Sequence, residues 1–283
     1  MRLRVYLDLV RFEHTLFALP FAYAGMLMAA GGWPGGRTFL LVTLAMVGAR
    51  TMAMALNRLI DWQIDALNPR TRNRHLPRGL VRPGEVLALA GVGLLLLVYS
   101  GLSLNPLTAR LLPVAVFFLT VYSYTKRFTW LCHYVLGLTI GAAAAGGWIA
   151  VTGSFHPTAL WLWAGVGLWI AGFDILYATQ DYAFDRSFGL KSVPARFGIP
   201  LALWIARLSH ALAWVGLLMA GLSYGAGGWY YLGLALVGAL LVYEHRLVSP
   251  QDLSKVEVAF FQANVGVSLG MFLFILLDLL FRT

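Results

Sequence analysis

Two short stretches of this chain concentrate the residues that could do chemistry. In Asn57-Arg58-Leu59-Ile60-Asp61-Trp62-Gln63-Ile64-Asp65, the side chains of Asn57, Asp61 and Asp65 recur every four residues, which puts them on one face of a helix. In Gln180-Asp181-Tyr182-Ala183-Phe184-Asp185, Asp181 and Asp185 repeat that spacing, with Asp174 and Tyr177 one or two turns earlier. Carboxylates so placed repel one another. Hard divalent cations take carboxylate and amide oxygens, and Mg²⁺ in particular is held by one or two carboxylates together with substrate phosphates. Each stretch therefore reads as half of a Mg²⁺-diphosphate cradle. Solvated helix ends paired with arginine would explain one such motif, but less readily two in a chain this poor in ionisable groups.

Basic residues gather around the two motifs: Arg70, Arg72, Arg74, Lys126, Arg127, Arg186 and Lys191. A diphosphate leaving group needs its charge neutralised as the bond to carbon breaks, and Mg²⁺ with Lys and Arg donors can do so. Arg72, Lys126 and Lys191 are the leading candidates. Arg78, Arg82 and Arg246 fit a role in topology or contact with anionic lipid. Arg50 stands apart, mid-helix in an apolar run, two turns before Asn57 and on roughly its face. A cation buried there costs at least ~2.5 kcal/mol and needs a partner. It either pairs with a motif aspartate or binds a carboxylate or hydroxyl of a second substrate; Asp174 is a candidate structural partner. His14 reads as an interfacial polar residue more than as a base.

The elements that must hold these residues are membrane helices. Of 283 residues, 60% are apolar and 12% charged, against about 45–50% and about 25% in ordinary soluble domains. Runs long enough to cross a ~30 Å hydrocarbon core recur along the whole sequence, and predict nine helices with cores at 12–31, 38–60, 85–103, 107–125, 131–152, 158–180, 197–222, 228–246 and 257–280. The whole chain, 1–283, reads as one transmembrane domain of all-α class, with no room for a separate soluble one. The first segment lacks a small-residue cleavage site and reads as retained. Cys132 is the only cysteine, so no internal disulfide or cysteine-based metal cluster is possible.

The N-terminus and the connections after the even segments hold Arg2, Arg4, Arg11, Arg70, Arg72, Arg74, Arg78, Arg82, Lys126, Arg127, Arg186, Lys191, Arg196, Arg246 and Lys255, while the opposite side holds Arg37, Arg110 and Arg282. By the positive-inside rule the first set is cytoplasmic, in a multi-pass inner-membrane protein. Topology thus accounts for the net charge of +9 without nucleic acid. Trp33, Trp161, Trp163, Trp229 and Tyr230 fit an aromatic belt at the other side. The halves repeat weakly, since the second and sixth segments each end in an aspartate pair followed by basic residues. The small residues from Gly137 to Gly147 permit close helix approach or a groove for a chain.

These residues resemble the UbiA superfamily of intramembrane aromatic prenyltransferases. Its first signature, N-D-x-x-D-x-x-x-D, is matched by Asn57, Asp61 and Asp65, with Arg58 in place of the first Asp. Its D-x-x-x-D signature is matched by Asp181 and Asp185, and Tyr177, Gln180, Lys191 and Ser192 are similar to the stretch around it in the 4-hydroxybenzoate branch. Tyr122 to Thr129 is similar to that branch's Y-x-x-x-K-R segment, which brings in Lys126 and Arg127. Phe12 to Pro20 resembles the start of 4-hydroxybenzoate-type members, including relatives on the futalosine route to menaquinone.

The resemblance implies a nine-helix bundle, two Mg²⁺ ions joining the motifs to a polyprenyl diphosphate, and a lipid-facing opening for the prenyl tail. It implies attack by the ring of an aromatic acid, 4-hydroxybenzoate or a dihydroxynaphthoate, on an ionised allylic carbon, giving a precursor of ubiquinone or menaquinone. Asp61, Asp65, Asp181, Asp185 and Asn57 would hold metal, Arg72, Lys126, Arg127, Tyr177, Gln180 and Lys191 would line the diphosphate site, and Arg50 would orient the acceptor. Arg58 leaves the first motif one carboxylate short. An ion-coupled transporter is the rival class, but its acids would lie at the membrane midplane and not at one face. A CDP-alcohol phosphotransferase would carry a D-G-x-x-A-R signature that is missing here.

Overall fold

The computed structural model describes residues 2–281, and every long element in them is a helix. Arg282, counted above with the opposite side, lies outside the described residues. A short helix, α1 (Arg2–Leu9), precedes the bundle, and a 3₁₀ turn (Phe12–His14) leads into α2 (Thr15–Ala30). Arg11 takes a left-handed backbone, φ 48°, which a non-glycine residue adopts only in a tight turn. That reversal starts the first long helix at Thr15 and not at residue 12 as expected. The remaining long helices are α3 (Gly36–Ile60), α5 (Pro83–Leu104), α6 (Pro106–Thr125), α7 (Cys132–Thr152), α8 (Pro157–Ala178), α11 (Ile199–Tyr224) and α12 (Gly228–Arg246). The last runs through α13 (Val256–Val258), a π turn (Ala259–Ala263) and α14 (Asn264–Phe281). Short helices α4 (Trp62–Leu67), α9 (Tyr182–Ser187) and α10 (Val193–Phe197) lie in the connections. Among the described residues each expected segment is thus a long helix. Seven helices among the described residues are long and apolar enough to cross a membrane, and α2, with 16 residues, is a shorter apolar one.

Local chemistry starts and stops these helices where the turn residues stand. Pro106 occupies the first turn of α6, where its missing N–H is no loss. The Asn105 side chain accepts from the amides of Leu107 (3.1 Å) and Thr108 (3.0 Å), satisfying two donors that the helix cannot. Large side chains of α2, α8, α11, α12 and α14, among them Phe21, Trp169, Leu217, Tyr230 and Met271, close the main core. Leu95, Leu102, Phe117 and Leu280 point outward and exposed, as they can where the solvent is lipid. The chain is an integral membrane protein. Along α7 the small residues serve close packing: a side chain at Gly147 would collide with the Ala22 carbonyl of α2, and one at Gly137 with the Gly167 carbonyl of α8.

One aromatic expected at the membrane surface is not there. Tyr230 is 1% exposed, and its hydroxyl donates to the Leu217 carbonyl of α11. A hydroxyl needs a partner when buried, and this backbone oxygen lets Tyr230 join the core, while Trp33 and Trp229 remain exposed. The π turn is held by Asn264, whose amide donates to the carbonyls of Ala259 (3.2 Å) and Phe260 (3.1 Å) and to Glu244 (2.9 Å), and whose oxygen accepts from the Trp169 indole (2.6 Å).

Candidate active site

Both aspartate motifs straddle the same kind of break. α3 stops at Ile60 and α4 begins at Trp62, with Asp61 between them at φ −92°, ψ 0°. α8 stops at Ala178, and after a 3₁₀ turn α9 begins at Tyr182, with Asp181 before it at φ −97°, ψ 5°. The first aspartate of each motif thus holds the same bridge-region backbone, and each is followed by a six-residue helix carrying the second. This likeness between the halves extends the weak repeat in the sequence to backbone geometry. The Asp61 amide still donates to the Asn57 carbonyl (2.9 Å) and the Asp65 amide to that of Asp61 (2.7 Å), so the first motif stays stacked turn upon turn across the break.

Cations from the connections close on these carboxylates. Asp61, 3% exposed, accepts from Lys126 Nζ (2.7 Å), Arg127 Nη2 (3.0 Å) and the Asn57 amide (3.2 Å). Arg127 also donates to the Ile60 carbonyl at 2.8 Å, satisfying an acceptor at the end of α3. Asp65, 4% exposed, takes both its contacts from Arg74 Nη1, at 2.7 Å each. Asp181 accepts from Arg70 through Nε (2.9 Å) and Nη2, and from Asn68 (2.9 Å). Arg70 Nη1 also donates to the Tyr177 hydroxyl (2.8 Å). Burial disfavours the charge on Arg70, yet the hydrogen bonds and charge of Asp181 raise its pKa above the ordinary arginine value. Asp185 accepts from the Ser192 hydroxyl at 2.8 Å. The Lys191 amide donates to the Lys126 carbonyl at 2.7 Å, which ties the second motif's loop to the end of α6.

The sequence-derived candidates are therefore partly gathered. Asn57, Lys126 and Arg127 meet on Asp61, Arg74 holds Asp65, and Asn68 and Arg70 of the connection after the first motif bond to Asp181, with Arg70 also on Tyr177. Asp185 sits one turn beyond Asp181. The Gln180 side-chain nitrogen is buried without a hydrogen bond among the described residues. The side chains of Arg72 and Lys191 are exposed and make no hydrogen bond among the described residues. Arg70, Arg74, Asn68 and Ser192 take the contacts instead. No sequence signal singles out Asn68, which sits in the turn after α4. Arg58, in the family's aspartate position, turns away, and its Nε donates to the Leu9 carbonyl at 3.1 Å, near the end of α1. The missing carboxylate is thus replaced by a bond that fastens the N-terminal helix.

Arg50 reaches no motif aspartate. Its Nη2 donates to the Arg11 carbonyl (3.0 Å), and its Nε is buried with no partner among the described residues. Asp174 does not pair with Arg50 either; it binds His133 Nδ1 at 2.7 Å, because the first turn of α7 packs against that part of α8. Next to Arg50 lies an aromatic wall: His14, Phe17, Phe173, Tyr177, Phe260 and Phe261, with Phe260 stacked on Tyr177 at 4.2 Å. Burial first, and the nearby Arg50 second, push His14 down to about 3, so its ring is neutral near pH 7. The π turn swings Phe260 and Phe261 into this wall, which the sequence alone did not signal.

Among the described residues no three His, Cys, Asp or Glu side chains converge as a ready-made metal cage. The donors are nevertheless all oxygens, with two carboxylates per motif and the Asn57 amide beside the first. That set suits Mg²⁺, which needs one or two carboxylates when phosphates supply the rest.

Known proteins with this sequence and shape point one way. A "4-hydroxybenzoate octaprenyltransferase" of Shewanella halifaxensis is 30% identical over 286 residues, spanning 98% of this chain and 96% of the relative. The structure of a UbiA homologue from Aeropyrum pernix K1 superposes with a TM-score of 0.85 at 33% identity, covering 94% of this chain and 98% of the other. A UbiA homologue from Archaeoglobus fulgidus, bound to GPP and Mg²⁺, shares the fold with a TM-score of 0.68 at 21% identity, covering 96% and 99%. The model of the UbiA prenyltransferase family matches residues 18–274, most of the bundle and both motifs, and the chain belongs to that family.

Proposed function

We propose that this protein transfers the prenyl group of an allylic polyprenyl diphosphate to the ring of an aromatic acid, 4-hydroxybenzoate or a dihydroxynaphthoate, in ubiquinone or menaquinone biosynthesis. The whole chain acts as one prenyltransferase domain of the inner membrane, with its N-terminus and the aspartate motifs facing the cytoplasm. The observation that carries this reading is the bonding of Asn68 and Arg70, from the connection after the first motif, to Asp181 of the second at one end of the bundle, near Arg50, whose Nε is buried without a partner among the described residues, and a wall of aromatic rings. The relative named for 4-hydroxybenzoate supports the choice of acceptor.

Asp61, Asp65, Asp181 and Asp185, with Asn57, would hold Mg²⁺. Mg²⁺ held by these residues would supply positive charge against the diphosphate as its bond to carbon breaks. Lys126, Arg127 and Arg70 already stand against the carboxylates and take diphosphate oxygens from there, as charge-assisted donors. Arg72 and Lys191, exposed at the rim, draw the anion in. Arg50 binds the acceptor carboxylate with the guanidinium edge that has no protein partner. The aromatic wall around Phe17 and Phe260 favours a cationic allylic carbon beside it and keeps water from capturing it. The allylic carbon–oxygen bond breaks, a ring carbon of the acceptor bonds to the allylic carbon, and the proton it displaces leaves to diphosphate or a motif carboxylate.

The test is an assay of purified protein in detergent with Mg²⁺, geranyl diphosphate and each acceptor in turn, with EDTA as control. A prenylated acid, read by mass and lost with EDTA, is the expected result. Intact, folded protein that yields no product from either acid would overturn the acceptor assignment.

A further inference from the structure

Away from the aspartate motifs, a groove of about 790 Å³ opens between α11 and α12. Its walls change character along its length: Trp214, Ala235 and Val242 are apolar, while Arg207, His245 and Arg246 close one end. That end belongs to the same side of the bundle as the second motif, since α11 starts at Ile199 soon after Asp185 and α12 finishes at Arg246.

Neither arginine has an acidic partner among the described residues. Arg207 instead lies 4.8 Å over the Trp204 ring. Between them His245 turns Nε2 to His210 Nδ1 at 3.0 Å, and His210 uses its other nitrogen on the Trp169 carbonyl at 3.1 Å. Because the Trp169 carbonyl only accepts, His210 Nδ1 accepts in turn from His245 Nε2, and the imidazole pair fixes the α11–α12 contact beside the two arginines.

Two guanidinium groups without acidic partners at the mouth of an apolar slot suit a molecule with an anionic head and a hydrocarbon tail. A soluble anion would use the head alone and gain nothing from the slot. Basic pockets between membrane helices hold phospholipid head groups in this way. We propose that the groove binds one anionic phospholipid, with its phosphate against Arg207 and Arg246 and an acyl chain along Trp214, Ala235 and Val242.

Native mass spectrometry of the delipidated full-length protein in detergent tests this. Titrated with phosphatidylglycerol, the protein should retain one lipid, and should retain phosphatidylcholine far less. Arg207→Gln together with Arg246→Gln should weaken retention about tenfold or more. Ala235→Phe, which fills the slot but keeps both charges, should weaken it as well, and circular dichroism reports whether each variant stays folded. Phosphatidylglycerol with brominated acyl chains should quench tryptophan fluorescence less in Trp214→Phe than in the parent. Equal retention of the two lipids, competition by millimolar inorganic phosphate as strong as by lipid, or folded variants that bind like the parent would each overturn the proposal. The readout is binding alone, so it stands or falls apart from the prenyl-transfer reading.

Discussion

Arg70 and Asp181, 111 residues apart in the sequence, are joined by two hydrogen bonds from the guanidinium to the carboxylate, one of them at 2.9 Å. The same guanidinium lies 4.9 Å from the centre of the Tyr177 ring and donates to its hydroxyl. A residue of the connection after the first motif is thus the clasp of the second. It gives Asp181 a counter-charge and competes for the oxygens that a metal would use.

That double role predicts opposite signs for two constants. Arg70→Met should raise the KM for the prenyl diphosphate by about tenfold or more, since a charge-assisted donor is lost. It should lower the Mg²⁺ concentration giving half-maximal rate, since Asp181 is freed. Steady-state kinetics varying each component separately decides; both constants moving the same way would remove the clasp from the site.

The carboxylates themselves should matter most. Asp65→Ala or Asp181→Ala should lower turnover by about a hundredfold or more, as loss of a charge-stabilising group does in other enzymes, with the helical signal in detergent unchanged. In Asp65→Ala the Arg74 guanidinium loses both of its short contacts, so thermal stability should fall slightly. Substantial Mg²⁺-dependent activity in either variant would end the cradle assignment.

Arg50 should act on the acceptor and not on the donor. Arg50→Gln keeps a hydrogen-bonding side chain near the Arg11 carbonyl but removes the charge. The expected result is a KM for the aromatic acid raised about tenfold or more, with the KM for the diphosphate close to the parent value. An equal rise in both would place Arg50 in a general structural role.

His14 sets a pH dependence of stability. Its folded pKa is about 3 against an ordinary 6.5. Between those values the unfolded chain binds a proton that the folded chain refuses, so stability is full above about pH 6.5 and falls as pH drops toward 3. Melting temperatures in detergent between pH 7.5 and 4.5 should therefore fall less steeply in His14→Gln than in the parent. Parallel slopes would mean that His14 is not buried in this way.

Much of this was legible in the sequence because it rests on spacing. Apolar runs mark the long helices, and the four-residue recurrence of Asn57, Asp61 and Asp65 marks one half of the site. What spacing cannot give is which cation crosses to which acid. Arg70, Arg72 and Arg74 look alike in a connecting loop; only its path after Asn68 sends Arg70 to Asp181 and Arg74 to Asp65, leaving Arg72 exposed. Arg58 was legible as a departure, but its bond to the Leu9 carbonyl depends on where α1 docks. The aromatic wall was hidden because Phe260 faces it through a π turn, which shifts the helix register away from the usual period.

His133 offers the last prediction, because it touches no motif carboxylate and yet fixes one. Its Nδ1 binds Asp174 at 2.7 Å, and its Nε2 lies 3.2 Å from the Val193 amide. Val193 follows Ser192, whose hydroxyl donates to Asp185. Asp174, on α8, thus orients an imidazole on α7 that pins the loop holding the second motif's outer aspartate. His133→Leu has a similar volume but cannot hold that amide, so Asp185 should become less well positioned. The expected result is kcat lowered about tenfold, with the KM for the aromatic acid unchanged and a higher Mg²⁺ requirement. His133→Gln, which can still bond to the Val193 amide, should restore much of the lost rate. If the glutamine variant is as slow as the leucine variant while both melt like the parent, the pin is not what His133 supplies.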